Sequence, residues 1–307
     1  MMMQGIIQQN YQGIEALQIK SIEEGPLTPL SVMIQNKFVL VLPYDWQTES
    51  GALTEIRPVQ LPIVIGYGFG GIVEQVGRLR HSSLIGQRVI GMQPNGSAQE
   101  VINNKIPPLL FKVPDQVTLA DATTLIGGAD AALHAIKVLE VKSTDTVLVT
   151  GASGGVGTYL IQLLKLAGTT VIALASAENQ TFVRQLGADS VLNYEADLAA
   201  QFSNSRQPNK VIDTVGQQAL LQLISASYGS LRILSLSTTH FLPTKPGQDF
   251  RFSNGSIGIG GYQHLLQLLA TKQIKAYIQA TYSFEAVKKA QMIAKNEHSQ
   301  GRILLTF

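Results

Sequence analysis

The chain has 307 residues, 45% apolar and 14% charged, with 23 Lys and Arg against 21 Asp and Glu. That length exceeds what one hydrophobic core usually covers and sets an expectation of two domains, while the near-balanced charge leaves no footprint for nucleic acid or a membrane surface. Cysteine is absent, which excludes disulfides, thiolate nucleophiles and Cys-ligated zinc. No apolar run reaches the roughly 18 residues that a bilayer span needs. The opening "MMMQGIIQQNYQ" lacks the charged and apolar sections of a signal peptide, so the expectation is a soluble cytoplasmic protein.

Nine of the twelve prolines precede residue 115, which argues against long helices in that half. It reads as short strands and turns: "SVMIQNKFVLVLP", "GIVEQVG", "QRVIGM" and "AQEVIN". The prolines at 107, 108 and 114 break regular structure before "LADATTLIGGADAALHAIKVLE", a helix-like stretch with Thr118 or Asp121 as N-cap. Strand and helix patterns then alternate: "TVLVTG", "YLIQLLKLAG", "TVIALAS", "NQTFVRQLGA", "SVLNY", "KVIDTV", "QQALLQLISAS" and "LRILSLS". Short continuous apolar runs separated by helices indicate parallel strands buried on both faces, the pattern of a doubly wound α/β domain. After a loop-like "THFLPTKPGQDF" come "SIGIGGY", expected as an edge strand through which two chains pair, then "HLLQLLA", "SFEAVKKAQMIAKN" and a final strand "RILLTF".

The stretch "TVLVTGASGGVGTYLIQLLKLAG" places Gly151, Gly154, Gly155 and Gly157 between a strand and a helix. A tight turn there needs positive φ angles, and a pyrophosphate needs backbone N–H groups without side chains in the way. The helix N-terminus adds unpaired donors and partial positive charge. Dinucleotide binding is the reading this context supports, and a merely tight strand-to-helix turn is the alternative. An acid ending the second strand would favour NAD, but "TVIALAS" ends in Ala175 and Ser176. Glu178, close by, also reads as an ordinary first-turn helix acid, while Ser176 can donate to a 2′-phosphate. NADP(H) is therefore expected.

Together with "RQLGADSVLNY", "VIDTVG", "LPIVIGYGFGGIVEQVG", "KVPDQVTLADATTLIGG" and the closing "GRILLTF", this glycine segment closely resembles the zeta-crystallin-like quinone oxidoreductases of the medium-chain dehydrogenase/reductase superfamily. The resemblance implies a Rossmann domain, residues 118–260, inserted into a GroES-like β-rich catalytic domain, residues 1–117 and 261–307. It implies zinc-independent, NADPH-linked reduction of quinones or α,β-unsaturated carbonyl compounds by a homodimer. On matching positions, Gly151, Ser153, Gly154, Gly155, Val156 and Gly157 would hold the pyrophosphate. Ser176, Asn179 and Tyr194 would lie near the 2′-phosphate, Thr214 and Val215 beside the adenosine half, and Leu236 and Ser237 toward the nicotinamide. Ordinary strand-end packing is the alternative for these last positions.

Five positions depart from the family pattern. Asn179 stands where many relatives carry a lysine for the 2′-phosphate, Leu42 where an asparagine is frequent, and Leu53 where several have a tyrosine. Gly68 replaces a glutamate, and Ala131 matches an expected threonine. Leu42, Leu53, Gly68 and Ala131 make the active site less polar than the family's and leave open a second reading, an NADPH-binding redox sensor or structural protein with little turnover. Tyr44 and Tyr67 are the candidate acids or stacking surfaces, with packing as their alternative, and Asp45 is expected to brace its loop. The five histidines show no H-x-x-H or H-E-x-x-H spacing, so no metal is expected. No tyrosine is followed four residues later by lysine, which removes the Tyr–Lys pair of short-chain reductases.

Overall fold

The structure, a computed structural model, describes residues 1–55, 58–105 and 110–307. Prolines 107 and 108 lie outside the described residues. The first part is a run of strands: β1 Met2–Gln8, β2 Gln18–Glu23, β3 Val32–Val41, β4 Ile63–Val64, β5 Gly68–Val76, β6 Arg88–Met92, β7 Val101–Asn104 and β8 Leu110–Lys112. One helix, α1 Pro43–Glu49, interrupts them. Its start was not legible from periodicity, but the chemistry is plain: Pro43 sits in the first turn and the Leu42 N–H donates to Asp45 Oδ2 at 2.8 Å. Asp45 thus braces this segment.

From residue 118 the chain forms α2 Leu119–Thr123 and α3 Asp130–Val138, then β9 Thr146–Val149, α4 Gly157–Leu166, β10 Thr170–Ala175, α5 Gln180–Gln185, β11 Ser190–Asn193, α6 Leu198–Asn204, β12 Lys210–Asp213, α7 Gln218–Ser227, β13 Arg232–Ser235 and β14 Asp249–Phe252. Thr118 is the N-cap, its Oγ1 accepting from the Asp121 N–H at 3.0 Å. The expected long helix breaks between α2 and α3, where Ile126 is extended and Gly127 has φ +64°. The six strands β9–β14 form a parallel sheet of order β11-β10-β9-β12-β13-β14. Renumbered from β9, that order is 3-2-1-4-5-6, the doubly wound dinucleotide-binding topology.

The chain ends with α8 Gly258–Ala270, β15 Ile278–Ser283, α9 Val287–Asn296 and β16 Arg302–Thr306. Strands β15 and β16 return to the first lobe and extend a sheet of order β15-β16-β3-β5-β6-β8, with β7 paired to β3. The "SIGIGGY" segment is not an edge strand. Gly258 opens α8, and Tyr262, Leu265, Leu266 and Leu269 are buried at helical spacing, so burial of that stripe decides the conformation. The edge strands of the parallel sheet are β11 and β14.

Side-chain alternation divides the interior. On β3, Leu40 faces the core shared with α2, α3 and the parallel sheet, whereas Val39 and Val41 face a core under α9. On β9, Val147 and Val149 enter that shared core and Leu148 enters the one beneath α7. The shared core welds the two lobes along the carboxyl ends of the parallel strands, where the candidate site lies.

Candidate active site

The turn between β9 and α4 is shaped by glycines for different reasons. Gly151 has φ +60°, and a Cβ there would lie 2.4 Å from Thr214 Oγ1. A Cβ on Gly157 would lie 2.2 Å from the Gly151 oxygen, so only glycine lets α4 pack this close to the turn. A Cβ on Gly155 would strike the Arg302 guanidinium, 2.2 Å from Nε. Gly154 differs: its nearest neighbours would be 3.4 and 3.5 Å away, ordinary contact distances, and its φ is not positive. The protein's own packing does not require glycine at 154, whereas close approach of a phosphate to the backbone does. The residues therefore fit a dinucleotide.

A buried carboxylate holds the neighbouring strand ends in register. Asp213 accepts at 2.7 Å from Thr150 Oγ1 and at 2.7 Å from Ser235 Oγ, and also from the N–H groups of Val215 and Gly216. Thr214 Oγ1 donates to the Thr150 oxygen at 2.9 Å, and Ser237 Oγ donates to the Thr214 oxygen at 2.7 Å. Thr214, Val215, Leu236 and Ser237 are thereby gathered beside the glycine turn, with Val215 and Ser237 exposed. Asp213 itself was missed in the sequence, although its place at the end of "KVID" is a strand-end signal.

At the other side of the turn, Ser176 follows β10 and Tyr194 follows β11. Ser176 is 1% exposed, and its Oγ lies near the Tyr194 phenol. Asn179 is buried; its Nδ2 donates to Ser153 Oγ at 3.2 Å and its Oδ1 accepts from Gln300 Nε2 at 2.7 Å. The segment before β16 thus lies against the glycine turn, and the Gly301 N–H donates to the Ser153 oxygen at 2.8 Å. Sequence reasoning took "GRILLTF" only as a chain end and overlooked this contact.

Between the lobes, the rings of Tyr44 and Tyr67 meet edge-on with centroids 6.1 Å apart, both half-buried against the shared core. Gly68 cannot carry a side chain as it stands, since a Cβ would lie 2.6 Å from Leu40 Cδ1 and 2.7 Å from Ile126 Cγ2. Leu42 packs over Gly127, Leu53 is half-buried in the turn after α1, and Ala131 is half-buried on α3. Beneath this apolar wall runs a polar network. Arg302 reaches from β16 and donates through Nη2 to the Gly127 oxygen, with its Nε unpartnered. Burial lowers its guanidinium to about 10, opposed by Asp130, Tyr159 and Asp45. Burial likewise pushes the Asp130 carboxyl up, although Tyr262 donates to its Oδ2 at 2.6 Å.

A parallel sheet of this order, a glycine turn at its carboxyl edge and a β-rich lobe closing over it define a two-lobed dinucleotide-binding protein. Residues 155–246 match the family described as zinc-binding dehydrogenase. The chain is 29% identical over 202 residues to the quinone-oxidoreductase homolog, chloroplastic, of Spinacia oleracea, covering 62% of this chain and 61% of that one. It spans about three fifths of the length of the first curated relatives it matches. A probable quinone oxidoreductase of Schizosaccharomyces pombe is 26% identical and matches over 94% of this chain and 92% of its own. Among solved structures, the quinone oxidoreductase from Coxiella burnetii superposes with a TM-score of 0.88 at 23% identity, covering 100% of both chains. A mycobacterial protein complexed with NADPH superposes with a TM-score of 0.85 at 24% identity, covering 99% of this chain and 100% of its own. Over these stretches the chain is similar to quinone oxidoreductases and to zinc-binding dehydrogenases, and its two-lobed fold is shared with the solved structures. Among the described residues, no group of three or more His, Cys, Asp or Glu is placed to hold a metal, and no helix is long and apolar enough to cross a membrane.

Proposed function

We propose that this chain is an NADPH-dependent, zinc-independent oxidoreductase that delivers hydride to a quinone, an enone or a related small carbonyl compound. Gly154 is the observation that carries the reading, because its lack of a side chain serves an incoming phosphate and not the fold. In this reading the N–H groups of the turn and the start of α4 hold the pyrophosphate, with Ser153, Gly155 and Val156 alongside. Ser176, Asn179 and Tyr194 take the phosphorylated ribose, Thr214 and Val215 border the adenosine half, and Leu236 and Ser237 flank the nicotinamide. When bound, the nicotinamide supplies the hydride.

The chain's own task is to position and to dry the site. Leu42, Ile126 and Leu40 form an apolar wall around Gly68 and Gly127, which excludes water from the reacting carbon. Tyr44 and Tyr67 present an edge-on aromatic pair on which a flat acceptor can rest, and either phenol can polarise its carbonyl oxygen. The lobes divide in this reading into residues 1–117 with 261–307, and 118–260, the second boundary falling inside α8. Pairing of two chains along the β14 edge would give the homodimer, which a solution mass of one 33.1 kDa chain would exclude.

The test is Gly154→Asp, with Gly157→Ala as contrast. Gly154→Asp should leave thermal unfolding nearly unchanged and abolish NADPH binding followed by nucleotide fluorescence. Gly157→Ala should instead damage the fold, since its Cβ meets backbone at 2.2 Å. Undiminished NADPH binding by Gly154→Asp would overturn the reading.

A further inference from the structure

We propose that Glu49 is a positioning residue for the acceptor side of the cleft: as a neutral acid it fastens helix α1, and Tyr44 with it, and as a carboxylate it loosens that hold. The inference rests on the acceptor reading above, in which Tyr44 meets the substrate.

Helix α1 has seven residues, too few to hold its own shape, so its place is set by what grips its two ends. At the start, Leu42 packs over Gly127 in the apolar wall, its N–H bonded to Asp45, and Tyr44 follows in the first turn. At the far end three neighbours take hold. Gln8 of β1 donates through Nε2 to the Thr48 oxygen at 3.3 Å, and the Gly13 N–H donates to the Glu49 backbone oxygen at 3.2 Å. The third is a side-chain pair, in which Gln291 Nε2 of α9 donates to Glu49 Oε1 at 2.8 Å. Thr48 Oγ1 ties this end back to the Tyr44 oxygen at 2.8 Å, so a shift of the Glu49 turn reaches Tyr44 directly.

Glu49 is fully buried in a place rich in acceptors. Its own Oε2 and the amide oxygens of Gln8 and Gln291 are all buried, and among the described residues none of the three has a partner. A neutral acid brings an O–H donor to this place. A carboxylate brings a buried charge with one side-chain hydrogen bond, from Gln291. Burial pushes the carboxyl up to about 8, opposed by the Gln291 hydrogen bond. Of the charged groups facing it, Asp45 on its own helix adds to the rise and Lys295 on α9 opposes it. Strand β1 and the loop after it bring Gln8 and Gly13, which carry no charge. The hold on α1 is therefore firm in mild acid and weakens as pH rises through that value.

Trp46, the only tryptophan of the chain, stands on α1 between Tyr44 and Glu49 and reports on that helix directly. The experiment follows its fluorescence in the full chain from about pH 6.5 to about pH 9, beside steady-state oxidation of NADPH by 9,10-phenanthrenequinone at both ends of the range. In wild type the Trp46 emission should change with a midpoint near pH 8. The KM for the quinone should rise about two- to tenfold across the range while NADPH affinity stays level. Glu49→Gln, which carries a donor at every pH, should abolish the emission change and keep the low-pH KM throughout. An emission change that persists in Glu49→Gln, or is absent from wild type, would overturn the assignment. So would a level quinone KM while Trp46 titrates, or a parallel loss of NADPH affinity, which marks unfolding and not positioning. If no acceptor is reduced at either pH, the acceptor reading fails and the positioning role with it, whereas the Trp46 titration still shows whether Glu49 governs α1.

Discussion

Glu49 ends helix α1, whose first turn carries Tyr44, and it is completely buried. Gln291 Nε2 donates to its Oε1 at 2.8 Å, but Oε2 has no partner, and neither do the buried amide oxygens of Gln8 and Gln291. A proton on Glu49 adds a donor to this acceptor-rich place. Burial pushes the carboxyl from 4.5 up to about 8, with Asp45 adding to the rise and Gln291 and Lys295 opposing it. The folded chain therefore holds this proton more tightly than the unfolded chain does. Its contribution to stability is full below pH 4.5 and is lost as pH rises toward 8. At about 1.4 kcal/mol per decade of pH between the two values, the loss is about 3 kcal/mol by pH 7 and about 4–5 kcal/mol above pH 8.

Glu49→Gln mimics the protonated acid at every pH. Its melting temperature should match wild type near pH 4.5 and exceed it by roughly 10 °C near pH 8, taking about 2–4 °C per kcal/mol for a chain of this size. Asp130, also raised by burial, steepens the pH dependence of both proteins, so the difference between them isolates Glu49. Calorimetric scans across that range supply the assay. A gap that does not widen with pH would refute the reasoning.

The other predictions concern strand ends and strand anchors. Asp213→Asn turns an amide N–H donor toward the donors of Thr150, Ser235 and Gly216, and should cost about 2–3 kcal/mol in denaturant unfolding while weakening NADPH several-fold. Loss of stability with unchanged NADPH affinity would show that this carboxylate does not register the site. Lys210 pairs with Asp145 at 2.7 Å, both side chains nearly buried, and burial of that carboxyl is outweighed by its hydrogen bonds to Lys210 and neighbours, which hold it low. Lys210→Met should destabilise the chain by about 3–5 kcal/mol, with Lys210→Met/Asp145→Leu recovering much of it in the same denaturant assay. A double variant no better than the single would contradict that account.

Strands β9, β10, β12 and β13 were legible because they are buried on both faces, and each glycine of the turn stands at a strand–helix junction, whereas β14, exposed at alternate residues, begins inside the stretch that reads as a loop. The long helix after Thr118 was legible in its N-cap but not in its break, since Gly127 also fits a helix pattern until Leu42 is packed over it. "SIGIGGY" misled because short Ile–Gly alternation looks like a strand, while the stripe from Tyr262 to Leu269 that decides the helix begins only at its end. Arg302, His298 and Gln300 escaped notice for a different reason. Their partners are Gly127, Tyr194 and Asn179, more than 100 positions away, and no local spacing encodes such contacts. The departures at Leu42 and Gly68 became intelligible only in three dimensions, where both line one apolar wall.

The most direct test of the central claim is the loss of NADPH absorbance with 1,4-benzoquinone, 9,10-phenanthrenequinone and a simple enone, corrected for the rate without protein. The account predicts saturable oxidation with at least one acceptor, faster with NADPH than with NADH. Tight NADPH binding with no turnover on any of them would contradict it, and would mean that the apolar wall holds a dinucleotide without passing its hydride on.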